Sequence, residues 1–346
     1  MNNLHDSNPK NRWDNLHLLR KIFWLVIYIS IVVIIFIIHF ENLFLKVIII
    51  IFIAILGWLS YKILKKLENE YIYTLWDDVD YTGIIKQDFP FKSTKKTKLF
   101  AYFYHREEIK LNLNLSSRKY PVIIGFHGWG AQHREMDRYC LPLVKNRDVI
   151  YFTYDALGQG LSPGDQSDFT QFENARRFID LVLEQPYIDK SRVGVVGMSF
   201  GAAKASVVAY NHPYIKSLVM LSGVYDLKKH FDTVHRIIRW ILFRKLGKMN
   251  INLIDLEKYS GINYLKPEGV ILFDQQIHTQ NKERVFLAAN KHDKGVNYSQ
   301  TLAAIEKLNL PPENYRIFEK GDHRFEGNEF YLAVDIFQFL DRNLLH

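Results

Sequence analysis

A serine stands between two glycines where a strand pattern gives way to a helix pattern, and this junction constrains the chain more than any other stretch. Arg192-Val193-Gly194-Val195-Val196 is an apolar β-type run, Gly197-Met198-Ser199-Phe200-Gly201 follows it, and Ala202 to Asn211 reads as a helix. A strand that becomes a helix within so few residues strains the backbone at its apex. It also draws neighbouring backbone close, so small residues must flank the apex. The outcome is a hydroxyl held above a sheet edge, at the start of a helix whose dipole favours developing negative charge.

A serine hydroxyl is a poor nucleophile at neutral pH. It needs a histidine to take its proton and a carboxylate to hold that histidine. Arg284 to Asn290 is a strand pattern that ends at Lys291-His292-Asp293, and Tyr315 to Lys320 is another that ends at Gly321-Asp322-His323-Arg324. Asp293 and His323 therefore sit in loops at the carboxyl ends of strands, where open α/β sheets build their sites. Upstream, the buried strand pattern Pro121 to Phe126 runs into His127-Gly128-Trp129-Gly130. Such a turn can aim a backbone N–H at an oxyanion, and the N–H groups of Trp129 and Phe200 are the two expected donors. His127 is expected to stabilise the turn. Asp155-Ala156-Leu157-Gly158-Gln159-Gly160-Leu161-Ser162 follows the strand pattern Asp148 to Tyr154 and is expected to be an architectural loop.

From about Tyr120 to the C-terminus the chain resembles the α/β-hydrolase superfamily. The resemblance is carried by His-Gly-x-Gly, Asp-x-x-Gly-x-Gly-x-Ser, Gly-x-Ser-x-Gly, a late Asp and a late Gly-x-His, all in order. It implies a nucleophile at Ser199, a general acid/base at His323 and an orienting acid at Asp293. Ile188-Asp189-Lys190-Ser191-Arg192, ahead of the elbow strand, also resembles the prolyl-oligopeptidase-like and dienelactone-hydrolase-like branches. Rivals exist for each role. Asp226 follows the strand pattern Ser217 to Gly223, where some members of the superfamily place their acid. His292 adjoins the proposed acid, Asp322 reads as a turn residue, and Ser222 and Ser162 lack the elbow context.

The N-terminus has a different character. Ile22 to Phe40 is nineteen residues without a formal charge, spanning about 28 Å as a helix. Val47 to Tyr61 is a second apolar run within the twenty-two residues Leu43 to Leu64, with Lys46 and Lys62 placed to snorkel at its ends. Trp24, Tyr28, Trp58 and Tyr61 lie towards the ends of the runs, as interfacial anchors do. The expectation is a transmembrane hairpin in 1–66, with spans at about 22–40 and 43–64. Lys10, Arg12, Arg20 and Lys21 precede the first run, and Lys62, Lys65 and Lys66 follow the second. The positive-inside rule then puts both ends, and the catalytic domain, on the cytoplasmic side of the cell membrane.

The chain's net charge is +8, and residues 1–66 hold eight Lys and Arg against three Asp and Glu. Most of the excess is therefore juxtamembrane, which points to anionic headgroups as partners and away from nucleic acid. The single cysteine, Cys140, excludes an intramolecular disulfide and fits a reducing compartment. No zinc-ligand spacing or phosphate-cradling loop is present, and no cofactor is expected.

Residues 67–96 read as a connector and 97–346 as one α/β-hydrolase domain. Lys98 to His105 and Ile109 to Leu115 read as an antiparallel start to the sheet. Strands then alternate with helix patterns at Met136–Arg147, Phe169–Gln185, Ala202–Asn211, Tyr298–Leu308 and Glu329–Asn343. That alternation predicts a mostly parallel sheet with helices on both faces. The interval from Asp226 to Arg284 is long, and the resemblance implies a lid within 228–282. Its basic, apolar run His235 to Lys245 either packs over the pocket or touches the membrane surface. The expected activity is hydrolysis of an ester-type bond in a small-molecule or lipid-like acyl substrate. Alternatives are a serine peptidase of oligopeptidase type and a non-catalytic membrane scaffold.

Overall fold

The computed structural model describes residues 79–109, 118–166, 168–233, 253–273 and 278–346, together with the helix Leu43–Thr74 and scattered residues between 21 and 30. The chain divides into two units, Met1–Asp78 and Val79–His346.

In the first unit, helix α1 (Leu43–Thr74) exposes large apolar side chains between positions 47 and 63. They include Ile51, Phe52, Ile55, Trp58 and Ile63. Among the described residues no helix is long and apolar enough to cross a membrane. The expected two-span hairpin is thus not supported by the structure, and most of its first span, 22–40, lies outside the described residues.

The second unit is built on one eight-stranded sheet. Its strands are β1 (Ile84–Asp88), β2 (Ala101–Arg106), β3 (Tyr120–Phe126), β4 (Ile150–Tyr154), β5 (Ile188–Met198), β6 (Ile215–Leu221), β7 (Val285–Asn290) and β8 (Tyr315–Phe318). The spatial order is β1-β2-β4-β3-β5-β6-β7-β8. β1–β2 and β2–β4 pair antiparallel, and every other neighbour pair is parallel. This is the expected mostly parallel α/β sheet.

Alternation along the strands assigns side chains to two cores. Val122, Ile124, Phe152, Val195, Leu218 and Leu287 face one way. Ile123, Tyr151, Val196, Val219 and Phe286 face the other. A strand buried on both faces has no polar side, which is why these segments read as continuous apolar runs. Helices α2 (Asp137–Asn146) and α7 (Glu329–Leu345) cover the second face through Tyr139, Leu143, Val144, Leu332, Ile336 and Leu340. Helices α3 (Gln171–Leu183), α4 (Phe200–Val208) and α6 (Ser299–Leu308) cover the first, through residues such as Phe178, Ala202 and Ala304.

The antiparallel edge differs from the sequence expectation. The partner of β2 on its outer side is β1, which lies inside the segment 67–96 expected to be a connector. Of the strand expected at 109–115, Ile109 lies in a turn and 110–117 lie outside the described residues. A two-residue hairpin after β1, Phe91–Lys92 with Lys98–Leu99, brings Phe91 into the first core. There its ring lies 5.1 Å from that of Phe178 and 5.4 Å from that of Tyr154. The 97 boundary missed this because strands of two to five residues carry too little periodicity to stand out from a polar surround.

Of the expected lid, 234–252 and 274–277 lie outside the described residues, including the basic run 235–245. The described remainder holds the end of helix α5 (Leu227–Thr233), the short helix Leu253–Lys258 and the hairpin Val270–Ile271 with His278–Thr279. Leu256 and Leu265 of this stretch join the first core.

Truncating Phe91 tests whether this segment belongs to the folded unit. Phe91→Ala is expected to lower unfolding stability by about 3 kcal/mol or more, read from urea denaturation. A loss below about 1 kcal/mol would mean the hairpin merely rests on the sheet.

Candidate active site

The serine occupies the strained position its flanks predict. Ser199 joins β5 to α4 with φ 54° and ψ −118°, a conformation costly for a residue with a Cβ. The surroundings hold it there. Its N–H donates to the Leu221 carbonyl at 2.7 Å, and its carbonyl accepts the Ala203 N–H at 3.1 Å. Both flanking glycines are required sterically. A Cβ at Gly201 would lie 1.9 Å from the Phe126 carbonyl oxygen, and one at Gly197 would lie 2.5 Å from the Gly201 carbonyl oxygen.

Asp293 and His323 come together. His323 Nδ1 lies 2.7 Å from Asp293 Oδ2. The Asp293 side chain is 1% exposed and that of His323 27%. The other carboxylate oxygen of Asp293 accepts the N–H groups of Gly295 at 2.7 Å and Val296 at 2.9 Å, so both oxygens are engaged. Asp293 follows β7 and His323 follows β8. Ser199 follows β5, so all three lie at the carboxyl edge of one parallel array. Asn290 joins the two loops, donating from Nδ2 to the Asp322 carbonyl at 2.7 Å.

The rivals have other work. Asp226 accepts the Lys229 N–H at the start of α5. Asp322 accepts the N–H groups of Arg324 and Glu326, shaping the histidine turn. His292 is exposed. Ser162 accepts the Phe100 N–H, and Ser222 is buried at the end of β6.

The turn 127–130 is fixed by side chains. His127 is fully buried, and burial, with Lys204 nearby, pushes its imidazole down to about 3. The neutral ring donates from Nδ1 to the Gly128 carbonyl at 2.8 Å and accepts the Ala156 N–H on Nε2 at 3.0 Å. It is a turn-stabilising residue, as expected. The Gly128 N–H donates to Glu135 and the Gly130 N–H to Gln159, each at 2.6 Å. Between them, the Trp129 N–H has no partner among the described residues. The Trp129 and Phe200 rings pack edge to face at 5.4 Å, bringing the two expected donor residues side by side.

Asp155 is architectural, as expected. Burial alone would raise its carboxyl, but hydrogen bonds from His133 and the Leu161 N–H outweigh that and hold it below the usual carboxylate range. Glu135, Gln159, Asn290 and Lys204 carried no signal in the sequence, because a lone polar residue in a loop or helix reads as surface. His230 on α5 is a further neighbour of the Asp293–His323 pair. Burial lowers its pKa and the charge of His323 lowers it further. Among the described residues no group of three or more His, Cys, Asp or Glu side chains could hold a metal ion.

Sheet order, helices on both faces, strained serine and His–Asp pair together define an α/β hydrolase. The chain belongs to the prolyl oligopeptidase family, whose model matches residues 165–346, more than half of its length. Among curated relatives, Esterase FrsA of Vibrio vulnificus is 25% identical over 198 residues, covering 54% of this chain and 44% of the relative. Dipeptidyl peptidase family member 2 of Caenorhabditis elegans is 21% identical over 224 residues, covering 59% and 26%. The chain thus spans less than half the length of either. Among solved structures, an acetyl xylan esterase from Paenibacillus sp. R4 superposes with a TM-score of 0.59 at 17% identity, covering 77% of this chain and 86% of that one. The acylaminoacyl peptidase of Pyrococcus horikoshii gives 0.55 at 18%, covering 76% and 42%. At these identities the structures establish the fold.

Lys204, one turn into α4, generates a pH prediction. It is fully buried, and its Nζ has no hydrogen-bond partner among the described residues. It lies 5.5 to 5.8 Å from the rings of Tyr154, Phe126 and Phe200. Burial pushes the amine down to about 7, against an upward pull from Glu135. The unfolded chain therefore binds the proton more tightly, and stability rises with pH between about 7 and the unfolded value near 10.5. The urea midpoint is expected to rise from about pH 7.5 to about pH 9.5, and Lys204→Met should flatten that rise. An equal rise in both proteins would assign it to other groups.

Proposed function

We propose that this chain hydrolyses ester-type acyl bonds through Ser199, His323 and Asp293, by way of an acyl-enzyme. The observation that carries the reading is the 2.7 Å hydrogen bond between His323 and a buried Asp293, on the sheet edge that also presents the strained Ser199.

With Nδ1–H donated to Asp293, Nε2 is the nitrogen that takes the serine proton. The Ser199 oxygen attacks the acyl carbon, and negative charge collects on the carbonyl oxygen. The N–H groups of Trp129 and Phe200 receive that charge, the latter at the positive end of α4. His323 passes its proton to the leaving alcohol. Water, deprotonated by the same imidazole, then attacks the acyl-enzyme and releases the acid. Asp293 fixes the imidazole's tautomer and stabilises the imidazolium of each step. An ester substrate is supported by the sequence similarity to Esterase FrsA. A peptide substrate is the second reading, favoured by the family's description and by the similarity to a dipeptidyl peptidase.

Ser199→Ala should abolish labelling by a fluorophosphonate probe and lower kcat by about 10⁴-fold or more, and Asp293→Asn should lower it by about 10³- to 10⁴-fold. Full labelling of the alanine variant would remove Ser199 as nucleophile. p-Nitrophenyl esters and aminoacyl-p-nitroanilides separate the two substrate readings: turnover of the anilides alone would replace the ester reading with the peptidase one.

We further propose that the apolar N-terminal runs hold the enzyme at the cell membrane, with the hydrolase unit on the cytoplasmic side. Support comes from the outward-facing apolar side chains of α1 and from the lysines and arginines flanking the two runs. The full chain is expected to remain in the membrane fraction after alkaline carbonate extraction, with the hydrolase unit protected from protease in right-side-out vesicles. Release by carbonate would overturn membrane insertion.

A further inference from the structure

We propose that Glu135 is a positioning residue for the oxyanion site, and that Arg324 ties its carboxylate to the loop bearing His323. The proposal deepens the reading of Ser199 as nucleophile and rests on it.

Glu135 lies in a short 3-10 turn, His133–Met136, and is 4% exposed. Burying a carboxylate is costly unless hydrogen bonds and opposite charge compensate it. Here one oxygen accepts the Gly128 N–H at 2.6 Å, and the other lies 3.9 Å from Arg324 Nε. Arg324 directly follows His323. One side chain therefore contacts both the turn proposed to carry the oxyanion donor and the loop proposed to carry the base.

The geometry of the turn gives these contacts their consequence. The Gly128 carbonyl and the Trp129 N–H belong to one planar peptide group and point in opposite directions. The carbonyl accepts His127 Nδ1–H at 2.8 Å, which sets the direction of the Trp129 N–H. Glu135 fixes the preceding peptide through the Gly128 N–H. With the planes on both sides of Gly128 held, the Trp129 donor has no freedom to turn away. The turn also abuts the serine. A Cβ at Gly128 would stand 3.1 Å from the Cβ of Ser199 and 3.2 Å from Glu135 Oε2. The start of the 3-10 turn is anchored as well, since Asp155 Oδ1 accepts the His133 N–H at 2.8 Å.

An uncompensated carboxylate here would repel the developing oxyanion. The Gly128 N–H and the Arg324 guanidinium draw its field away, and the buried Lys204 amine feels the same carboxylate. Preorganised donors lower a barrier because they need no reorganisation during reaction, so loosening one weakens transition-state binding more than substrate binding.

The test uses the full chain and measures two things with a fluorophosphonate: the labelling rate constant and the fraction labelled at completion. A purely structural role lowers the fraction of competent sites and leaves the rate constant of the survivors unchanged. Glu135→Leu is expected to slow labelling by about 10²-fold and to lower kcat on a p-nitrophenyl ester by a similar factor, with KM within about threefold. Glu135→Gln keeps an acceptor for the Gly128 N–H and should recover to within about tenfold of wild type. Arg324→Met, at a partly exposed site, should slow labelling about five- to tenfold and keeps the test alive if Glu135→Leu does not fold. A wild-type rate constant in Glu135→Leu, or an Arg324→Met rate equal to wild type, would overturn the proposal. So would a Glu135→Gln variant as slow as Glu135→Leu. Absence of labelling at Ser199 in the wild type would instead overturn the nucleophile assignment beneath it.

Discussion

The close approach of two backbone segments at Gly201 is the constraint on which the site depends. Ser199 can hold φ 54° only because the chain around it leaves no alternative. Helix α4 must begin against the carboxyl end of β3, where the Phe126 carbonyl occupies the space a side chain at 201 would need. The Leu221 carbonyl at the end of β6 takes the serine N–H. Two neighbouring strands and one helix thus fix a single residue, and the rigidity of the parallel sheet is passed directly to its hydroxyl.

Around that fixed point the protein has buried polar groups that an apolar core would avoid. His127, Glu135, Asp155 and Gln159 are almost wholly enclosed, and each binds a backbone group of the loops around the serine. Backbone N–H and carbonyl groups in a buried turn must be satisfied, and here side chains from distant segments satisfy them. The arrangement makes loop shape a tertiary property: the turn at 127–130 keeps its form only while the 133–136 and 155–162 segments are in place.

Much of the architecture could be read before any coordinates. The alternation of apolar strands and helix patterns after Tyr120 matches the observed elements closely, since buried parallel strands are uniform in character and long enough to recognise. Asp293 and His323 were also legible as candidates, because each residue follows a strand pattern and their order follows Ser199. The antiparallel edge was not. β1 is five residues of mixed polarity, and its pairing with β2 rests on backbone bonds that carry no residue code. The N-terminal hydrophobic runs were plain in the sequence, yet among the described residues no helix is long and apolar enough to cross a membrane.

Local pattern by itself determined the strained serine junction, the strand–helix alternation and the order of the proposed catalytic residues, because these depend on steric demands and periodicity within a few neighbours. Only the tertiary structure decided that Asp293 rather than Asp226 meets His323, that Glu135 and Gln159 hold the turn on either side of Trp129, and that Lys204 lies buried behind the serine junction with no hydrogen-bond partner among the described residues. The physical reason is that hydrogen bonding and burial depend on which loops the sheet brings into contact. A carboxylate or an amine looks the same in one dimension whether water or a protein core surrounds it.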